Sequence, residues 1–422
     1  MIVTYILVVG RIGESQKGDA MRYSLLSFEV ENYRSFCEPQ KLVFGAASMR
    51  GVTALFGPNA GGKSNIVRAL ARFCSSVVNS ASAGWRLPYE PFLLRAGMEK
   101  RPCRFAARFA SEDGLIYEYE FSFSAEVITH ERLREKSSDS SKMRTIFERD
   151  DNGYVGVTSG RSGFGATLLK KTRPDTLIVS KGREDNNPYA NLVYGLASSV
   201  AVISDDSWSG GSNGPLFVNM LKNDESLREA TVDFLKKCDF AIQGISVQNV
   251  SIAQDMVDAL PLRPDIKSAL VQSGGTTFKT LHVVRDDEQN VVDQRELDFW
   301  AQESTGTQRF FQEIVPIIDA VRRGGIIVVD EFGTSIHAEL SKAVLALFRT
   351  KGDELQRAGL MFSTQNVSLM SLLGREEIFL VDKTLSEETR ITPLTSLGVR
   401  EREAFEKRYR AGMYGAVPIV EG

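Results

Sequence analysis

An eight-residue segment near the start of the chain, Gly57-Pro-Asn-Ala-Gly-Gly-Lys-Ser64, has the residue types and spacing needed to bind phosphate. Its glycines let backbone N–H groups point at phosphate oxygens, and the helix expected after it adds the positive end of its dipole. Lys63 would contact the β- and γ-phosphates of a nucleotide, and Ser64 would bind Mg²⁺. The alternative is a glycine-rich turn with an incidental lysine. The nucleotide-binding candidates here are Gly57, Asn59, Gly61, Gly62, Lys63 and Ser64.

A second group of reactive residues follows an apolar run, Ile326–Val329, which is typical of a strand buried on both faces. Asp330 and Glu331 come directly after it. A carboxylate at the carboxyl end of a central strand can hold Mg²⁺, and an adjacent glutamate is a natural general base for water. Acidic residues also end many strands without a catalytic role. The pair therefore indicates a nucleotide site only in combination with the loop at 57–64.

The segment Glu303–Gln308 precedes a long apolar-periodic helix that leads towards Asp330. A serine hydroxyl and backbone N–H groups at a helix start can be presented to a γ-phosphate. The simpler interpretation is a Ser/Thr helix cap. The candidate phosphate contacts in this segment are Ser304, Thr305, Gly306 and Thr307.

Two further polar residues are candidates for contacts with the nucleotide. Gln365 follows the strand predicted at 359–363, where its amide could bond a γ-phosphate or the attacking water but could not change charge near neutral pH. It could also be an ordinary amide at a strand end. Arg34, in the polar turn Asn32–Phe36, is a candidate nucleotide contact or a plain surface arginine.

The elements that must position these residues alternate between strand and helix at both ends of the chain. Strands are predicted at 23–30, 40–44, 52–56, 326–329 and 359–363, and helices at 63–78, 224–237, 305–321 and 338–350. Residues near 100–160 alternate with period two and contain turn signals, which predicts antiparallel hairpins. We therefore predict an α/β fold with a mixed central sheet, interrupted by a long β-rich and helical insertion. The expected domains are 1–20 (unassigned extension), 21–98, 99–295 (insertion) and 296–422.

Composition excludes several classes of protein. A net charge of −3 and a pI near 5.9 do not suit a basic nucleic-acid binder, and the run Leu169–Arg173 is most simply a solvated loop. Four scattered cysteines suggest reduced thiols, and three distant histidines leave no HExxH site and disfavour an HNH nuclease centre. The apolar run Ile2–Val9 is too short to span a bilayer and has no preceding basic region. We expect a cytoplasmic protein with no membrane contact.

The segments together resemble the ABC ATPases. Glu303–Gln308 is similar to the ABC signature LSGGQ or LSGGE, and Gly333–His337 occupies the place of the D-loop. Gln365 stands where that family carries its switch histidine, so hydrolysis could be slow or differently gated. The turn Asn32–Phe36 resembles the NFRSF opening of RecF and SMC-like ATPases. From residue 21 to residue 422 the chain resembles the RecF/SMC/OLD branch, and within it the compact bacterial AAA-15-type ATPases of anti-phage defence operons.

This resemblance implies ATP and Mg²⁺ as ligands and a homodimer or higher homo-oligomer, with Ser304–Thr307 of one copy facing the nucleotide of another. The PARIS and Septu ATPase subunits are the functional models. They imply a partner effector, a TOPRIM, HNH or related nuclease or toxin, with a phage protein or DNA as trigger. The sequence ends 91 residues after Glu331, so we expect the effector to be a separate chain. The alternative is a RecF-like repair ATPase that binds DNA directly.

A transporter's nucleotide-binding subunit is the third class considered. Lys63 and Ser304 are 241 positions apart. That separation is far more than a transporter cassette needs between these two motifs, so the sequence disfavours this class.

Overall fold

The computed structural model describes residues 23–44, 51–111, 114–137, 140–150, 153–154, 164–204, 216–251, 254–258, 267, 275–334, 337–349, 358–401 and 403–415. The chain divides into two compact units, residues 1–207 with 320–422 and residues 208–319. The predicted extension at 1–20 and the serine- and glycine-rich segment at 207–214 lie outside the described residues.

The strands, in chain order, are β1 (Tyr23–Glu31), β2 (Gln40–Val43), β3 (Gly51–Phe56), β4 (Cys103–Ser111), β5 (Leu115–Phe123), β6 (Ile128–Ser137), β7 (Arg144–Asp150), β8 (Gly153–Tyr154), β9 (Val200–Ile203), β10 (Ile242–Val250), β11 (Gly275–Arg285), β12 (Val291–Asp298), β13 (Ile326–Val329), β14 (Gly359–Thr364), β15 (Ile378–Lys383) and β16 (Thr389–Pro393). The helices are α1 (Lys63–Asn79), α2 (Ala166–Lys171), α3 (Ile178–Glu184), α4 (Pro188–Ser199), α5 (Leu216–Asn223), α6 (Glu225–Lys237), α7 (Gln254–Asp258), α8 (Phe299–Gln302), α9 (Thr305–Arg323), α10 (Ala338–Leu347) and α11 (Phe405–Arg410).

A six-stranded mixed sheet in the first unit carries most of the candidate site. Its strand order is β16-β15-β3-β14-β13-β9, with five parallel strands and β16 antiparallel to β15. Every residue of β13 and β14 is buried, which explains their continuous apolar sequence. The mixed α/β fold predicted from the sequence is confirmed.

A seven-stranded antiparallel sheet in the same unit has the order β2-β1-β4-β5-β6-β7-β8. Its strands alternate between apolar and polar residues, so one face is apolar and packs against α1. Phe73 of α1 lies between Phe28, Tyr119 and Phe121, with ring centroids 5.8–6.0 Å apart. Burying such a ring contributes about 1.5–3 kcal/mol, so this contact fixes the helix that begins at Lys63.

The second unit is built on the three-stranded sheet β10-β11-β12. Aromatic side chains from β11, α8 and α9 form its packing centre, with Phe278, Phe299 and Phe311 at centroid distances of 4.4–5.9 Å. Phe217 of α5 packs on the same cluster. The start of α9, which contains the signature candidate, is therefore attached to a well-packed aromatic core.

The expected domain boundaries at 98/99 and 295/296 do not coincide with the two units. Residues 103–154 continue the sheet that begins with β1, because β4 pairs antiparallel with β1 along its length. Strand β9 lies in the site-bearing sheet beside β13. The second unit begins at residue 208, inside the predicted insertion. It ends at residue 319, so it also includes the signature candidate.

Three observations on the described residues bear on function. No helix among them is long and apolar enough to cross a membrane. They contain no group of three or more His, Cys, Asp or Glu side chains placed to hold a metal ion. All four cysteines are free thiols, and three of them, Cys37, Cys74 and Cys103, are buried.

Candidate functional site

The phosphate-binding loop, residues 57–64, connects β3 to α1 as the sequence predicts. Gly62 has a φ of +108°, and a Cβ there would lie 2.0 Å from Thr389 Oγ1. A Cβ on Gly57 would lie 1.9 Å from the carbonyl oxygen of Val381. Both positions therefore require glycine, because β15 and β16 approach the loop too closely for a side chain.

Lys63 is held inside this loop by backbone carbonyls. Its Nζ donates to Gly57 O at 2.7 Å and to Pro58 O at 2.8 Å, and its side chain is buried. Burial lowers the pKa of the Lys63 ammonium from its ordinary value, while the carboxylates of Glu331 and Asp330 act in the opposite direction. The loop therefore holds a buried cation, the group that would bind phosphate, close to two carboxylates. Asn59 is exposed at the tip of the loop.

Asp330 and Ser64 lie within hydrogen-bonding distance, although 266 positions separate them in sequence. Ser64 Oγ donates to Asp330 Oδ1 at 3.2 Å. A hydroxyl and a carboxylate oxygen side by side are the hard oxygen donors that Mg²⁺ prefers. These two residues fit the metal role predicted for them, and Mg²⁺ bound there would neutralise charge on the phosphates.

Glu331 and Gln365 are joined directly. Gln365 Nε2 donates to Glu331 Oε1 at 3.1 Å. Gln365 is exposed and Glu331 half-buried, so solvent reaches both side chains. Glu331 has a φ of +59°, an uncommon conformation for a residue with a side chain. The structure thus brings the predicted base and the predicted switch residue together.

Arg34 lies beside the first turn of α1. Its backbone has a φ of +49°, its Nε forms an ion pair with Glu90, and its Nη1 donates to Asn65 Oδ1 at 3.4 Å. The neighbouring Ser35 Oγ accepts from Asn65 Nδ2 at 2.7 Å. The turn is therefore bonded to Asn65, two residues after Lys63. These bonds do not test whether Arg34 contacts a nucleotide, and that role stays a prediction.

The signature candidate forms the first turn of α9 in the second unit. Ser304, Thr305 and Gly306 are exposed, and Thr307 is half-buried. Ser304 Oγ accepts from the backbone N–H of Thr307 at 3.1 Å and bonds its hydroxyl at 2.9 Å. The helix cap considered from the sequence is therefore present, and the exposed hydroxyls remain accessible to another molecule.

Side chains on both sides of Ser304 hold this turn in place. Glu303 Oε1 accepts from Thr280 Oγ1 at 2.5 Å and lies 2.8 Å from His282 Nε2, both on β11. Gln308 Nε2 donates to three backbone carbonyls at 3.0–3.1 Å, those of Phe299, Trp300 and Glu303. The segment is thus rigidly supported where it is exposed. Residues 335 and 336 of the D-loop candidate lie outside the described residues.

Two residues that the sequence analysis missed connect the parts of the site. Ser363 Oγ donates to Asp330 Oδ1 and accepts from the backbone N–H of Glu331 at 2.8 Å. Thr389 Oγ1 bonds Gly61 O at 3.1 Å and Ser35 Oγ at 2.7 Å. The Ser-Thr-Gln run at the end of β14 was a sequence signal for Ser363. Nothing in the sequence indicated Thr389.

Residues 52–183 match a protein-family model described as "AAA domain, putative AbiEii toxin, Type IV TA system". No curated protein matches the chain. The matched range contains the phosphate-binding loop, and the match supports ATP binding.

Several solved structures are similar to the chain. The SMC head bound to the C-terminal winged-helix domain of ScpA has 12% identity and a TM-score of 0.47, over 87% of this chain and 97% of that one. The SMC head domain from Thermotoga maritima has 14% identity and a TM-score of 0.39, over 88% and 98%. The recombination mediator RecF with ATP, from the RecFOR pathway, has 13% identity and a TM-score of 0.40, over 85% and 97%.

Proposed function

We propose that this chain is a cytoplasmic bacterial ATPase that binds ATP with Mg²⁺ and hydrolyses it to ADP and phosphate. One observation carries the proposal: Ser64 bonds Asp330, and Gln365 bonds the adjacent Glu331. A hydroxyl of the phosphate-binding loop, two strand-end carboxylates and an amide are thereby assembled in one place. Phosphoryl transfer to water needs this set, because its catalysis depends on positioning and charge.

The phosphates would bind to the loop at 57–64. Lys63 would leave its two backbone carbonyls and bond the β- and γ-phosphates, exchanging neutral acceptors for charged ones. The backbone N–H groups at the start of α1 would bind the remaining oxygens. Ser64 and Asp330 would hold Mg²⁺, which when bound stabilises negative charge on the phosphates.

Glu331 would act as the general base. Its carboxylate accepts a proton from water while the water oxygen bonds the γ-phosphorus and the bond from phosphorus to the β–γ bridging oxygen breaks. The Gln365 amide would hold the carboxylate in place and bond the attacking water or a γ-phosphate oxygen. Because an amide cannot change charge near neutral pH, as the imidazole of a histidine can, we expect slow turnover.

A second copy of the chain would complete the assembly. The exposed Ser304–Gly306 turn presents hydroxyls and backbone N–H groups at a helix start, which suits a γ-phosphate. We propose that this turn binds the nucleotide held by the other copy, so that ATP closes a homodimer or higher homo-oligomer. Hydrolysis then removes the shared phosphate and loosens the interface.

The biological role that we propose is that of a sensor and scaffold in an anti-phage defence complex. ATP-dependent association would control a partner effector, a TOPRIM, HNH or related nuclease or toxin, with a phage protein or DNA as the trigger. The description of the matching family, which includes the words AbiEii toxin and Type IV TA system, supports a setting of this kind. The low histidine content supports placing the destructive chemistry in another chain.

The test combines turnover, association and partner capture. Purified protein should hydrolyse ATP with Mg²⁺, form dimers or larger species with ATP in native mass spectrometry, and co-purify with the product of a neighbouring gene. Absence of turnover in the wild-type protein would contradict the ATPase assignment. Duplex binding that falls steeply between about 50 and 200 mM salt, without a protein partner, would instead establish the RecF-like alternative. Toxicity of the chain expressed by itself would contradict the separate effector.

A further inference from the structure

Ser363 is a buried residue near the end of β14 to which the proposed reaction gives no task. The parallel register places Val329 level with Phe362, so the next residues, Ser363 and Asp330, follow at the ends of the two neighbouring strands. The Ser363 side chain is 0% exposed. A buried hydroxyl is unfavourable unless it forms hydrogen bonds. The partners of the Ser363 hydroxyl therefore indicate its role.

The Ser363 hydroxyl contacts both residues of the carboxylate pair. Its Oγ donates to Asp330 Oδ1 and accepts from the backbone N–H of Glu331 at 2.8 Å. The backbone carbonyl of Ser363 accepts from Phe332 N at 2.9 Å. An ionised carboxylate only accepts hydrogen bonds, and a hydroxyl has one proton, so the direction of both side-chain bonds is fixed. One residue of β14 thereby holds three consecutive residues after β13.

The orientation of Asp330 depends on two hydroxyls that meet on a single oxygen. Ser64 Oγ of the phosphate-binding loop donates to Oδ1 at 3.2 Å, and Ser363 Oγ of β14 donates to the same atom. The terminal torsion of an aspartate is broad, so these bonds define where the carboxylate points. Without Ser363, the carboxylate would be held by the loop alone.

The backbone of Glu331 depends on the same hydroxyl. Its φ of +59° lies in the left-handed region, which is unfavourable for a residue with a Cβ. The bond from its N–H to Ser363 and the bond from Thr334 Oγ1 to its carbonyl, at 3.0 Å, hold it there. In this conformation its side chain reaches Gln365.

We infer that Ser363 is a positioning residue for both carboxylates. Its hydroxyl orients Asp330 towards the metal position beside Ser64 and holds Glu331 in the backbone conformation that a general base needs at this strand end. The inference rests on the proposed function, because the two carboxylates have these tasks only in a nucleotide hydrolase.

The matched variants are Ser363→Ala and Thr364→Val. The Thr364 hydroxyl is also 0% exposed and follows directly in the strand, but it bonds Phe332 O at 2.8 Å and Asn366 N at 3.0 Å instead of the carboxylates. Ser363→Cys fills similar space but donates a weaker hydrogen bond. It replaces the alanine variant in the test if that variant does not fold. Each protein is measured for Mn²⁺ affinity with a non-hydrolysable ATP analogue, by electron paramagnetic resonance, and for kcat, KM and unfolding midpoint.

Ser363→Ala should weaken Mn²⁺ binding and lower kcat, each by about 10- to 100-fold, and leave nucleotide affinity in EDTA unchanged. Ser363→Cys should change both quantities in the same direction, and Thr364→Val should change neither. Wild-type Mn²⁺ affinity and kcat in both Ser363 variants, in a protein that hydrolyses ATP, would overturn the inference. Loss of Mn²⁺ affinity in a protein whose wild-type form does not hydrolyse ATP would support the placement of Asp330 and refute the proposed function.

Discussion

Gln365 Nε2 donates a hydrogen bond to Glu331 Oε1 across 3.1 Å, joining the ends of two adjacent strands of the site-bearing sheet. The sequence left two interpretations of Gln365 open, a switch and an ordinary strand-end amide. The contact gives the amide a definite partner, and that partner is the proposed base. The amide itself does not change charge around neutral pH. An imidazole in the same place would behave differently.

Replacing Gln365 tests whether this contact matters for turnover. Gln365→Ala should lower kcat by about tenfold, since a hydrogen bond to a charged group contributes about 1.5–3 kcal/mol. A kcat equal to that of the wild-type protein would make Gln365 a strand-end amide without a catalytic task. Steady-state kinetics with a coupled ADP assay provides the measurement.

Gln365→His should introduce a pH dependence that the wild-type protein lacks. A histidine titrates near pH 6.5, and below that value the imidazolium stabilises the charged form of Glu331 and makes it a weaker base. We expect kcat of the histidine variant to fall as pH decreases through about 6.5. The profiles of Gln365→Ala and the wild-type protein should show no such step there. A histidine variant whose profile overlays that of the alanine variant would place residue 365 too far from the base to affect it.

Replacing Glu331 by glutamine should separate binding from turnover. The amide retains the shape and the neighbours of Glu331 but cannot accept the proton from water, so kcat should fall by about 10²- to 10⁴-fold. ATP binding should remain, and the ATP-dependent assembly should persist because hydrolysis no longer opens it. Single-turnover kinetics and native mass spectrometry measure the two effects. Normal turnover in Glu331→Gln would remove this residue from its assigned role.

Much of this site could be predicted from the sequence because its parts are local patterns. The strand Ile326–Val329 and the start of α1 at Lys63 have the predicted bounds, since continuous β-branched runs and glycine-rich turns are strong local signals. Ser363 was missed because two neighbouring hydroxyls end β14, and only the register with β13 decides which one faces Asp330. Thr389 is 328 positions from Gly61, and no local pattern indicates such a contact.

The grouping of strands into sheets was also beyond local patterns. The alternation in residues 100–160 correctly predicts antiparallel hairpins, and β4 and β5 pair as expected. The same alternation does not say which other strand completes the sheet. That strand is β1, so the segment expected to belong to an insertion shares a hydrophobic core with the helix that begins at Lys63.

Adding charge to the signature candidate should prevent association without preventing binding. A Cβ on Gly306 would meet only Ser304 Oγ, at 3.8 Å, so Gly306→Glu is sterically tolerated in the single chain. Its carboxylate would repel the γ-phosphate that we place there. We expect ATP affinity to be retained and ATP-dependent dimers to be lost, as measured by analytical ultracentrifugation. Gly306→Ala, which adds no charge, is the control and should still dimerise. Dimers of Gly306→Glu that form normally would show that this turn does not meet the nucleotide.

Removing the Lys63 ammonium should weaken nucleotide binding itself. A hydrogen bond between charged groups contributes about 1.5–3 kcal/mol, so Lys63→Ala should lower ATP affinity by about 10- to 100-fold in isothermal titration calorimetry. Lys63→Arg keeps the charge, but its planar and wider guanidinium cannot reproduce the contacts that we assign to a compact ammonium with the β- and γ-phosphates. It should therefore fail to restore the affinity. Wild-type affinity in Lys63→Ala would be incompatible with phosphate binding at this loop.

Gly62 and Gly84 provide a matched pair for testing the shape of the loop. Both have positive φ, +108° and +78°, but a Cβ on Gly62 would lie 2.0 Å from Thr389 Oγ1, whereas a Cβ on Gly84 would have nothing within 4 Å. Both alanine variants should lose about 1–2 kcal/mol of unfolding free energy from backbone strain. Only Gly62→Ala should lose more than this and also lose ATP affinity, because β16 must move or the loop must deform. Equal losses in the two variants, measured by urea unfolding and nucleotide titration, would show that Thr389 does not constrain the loop.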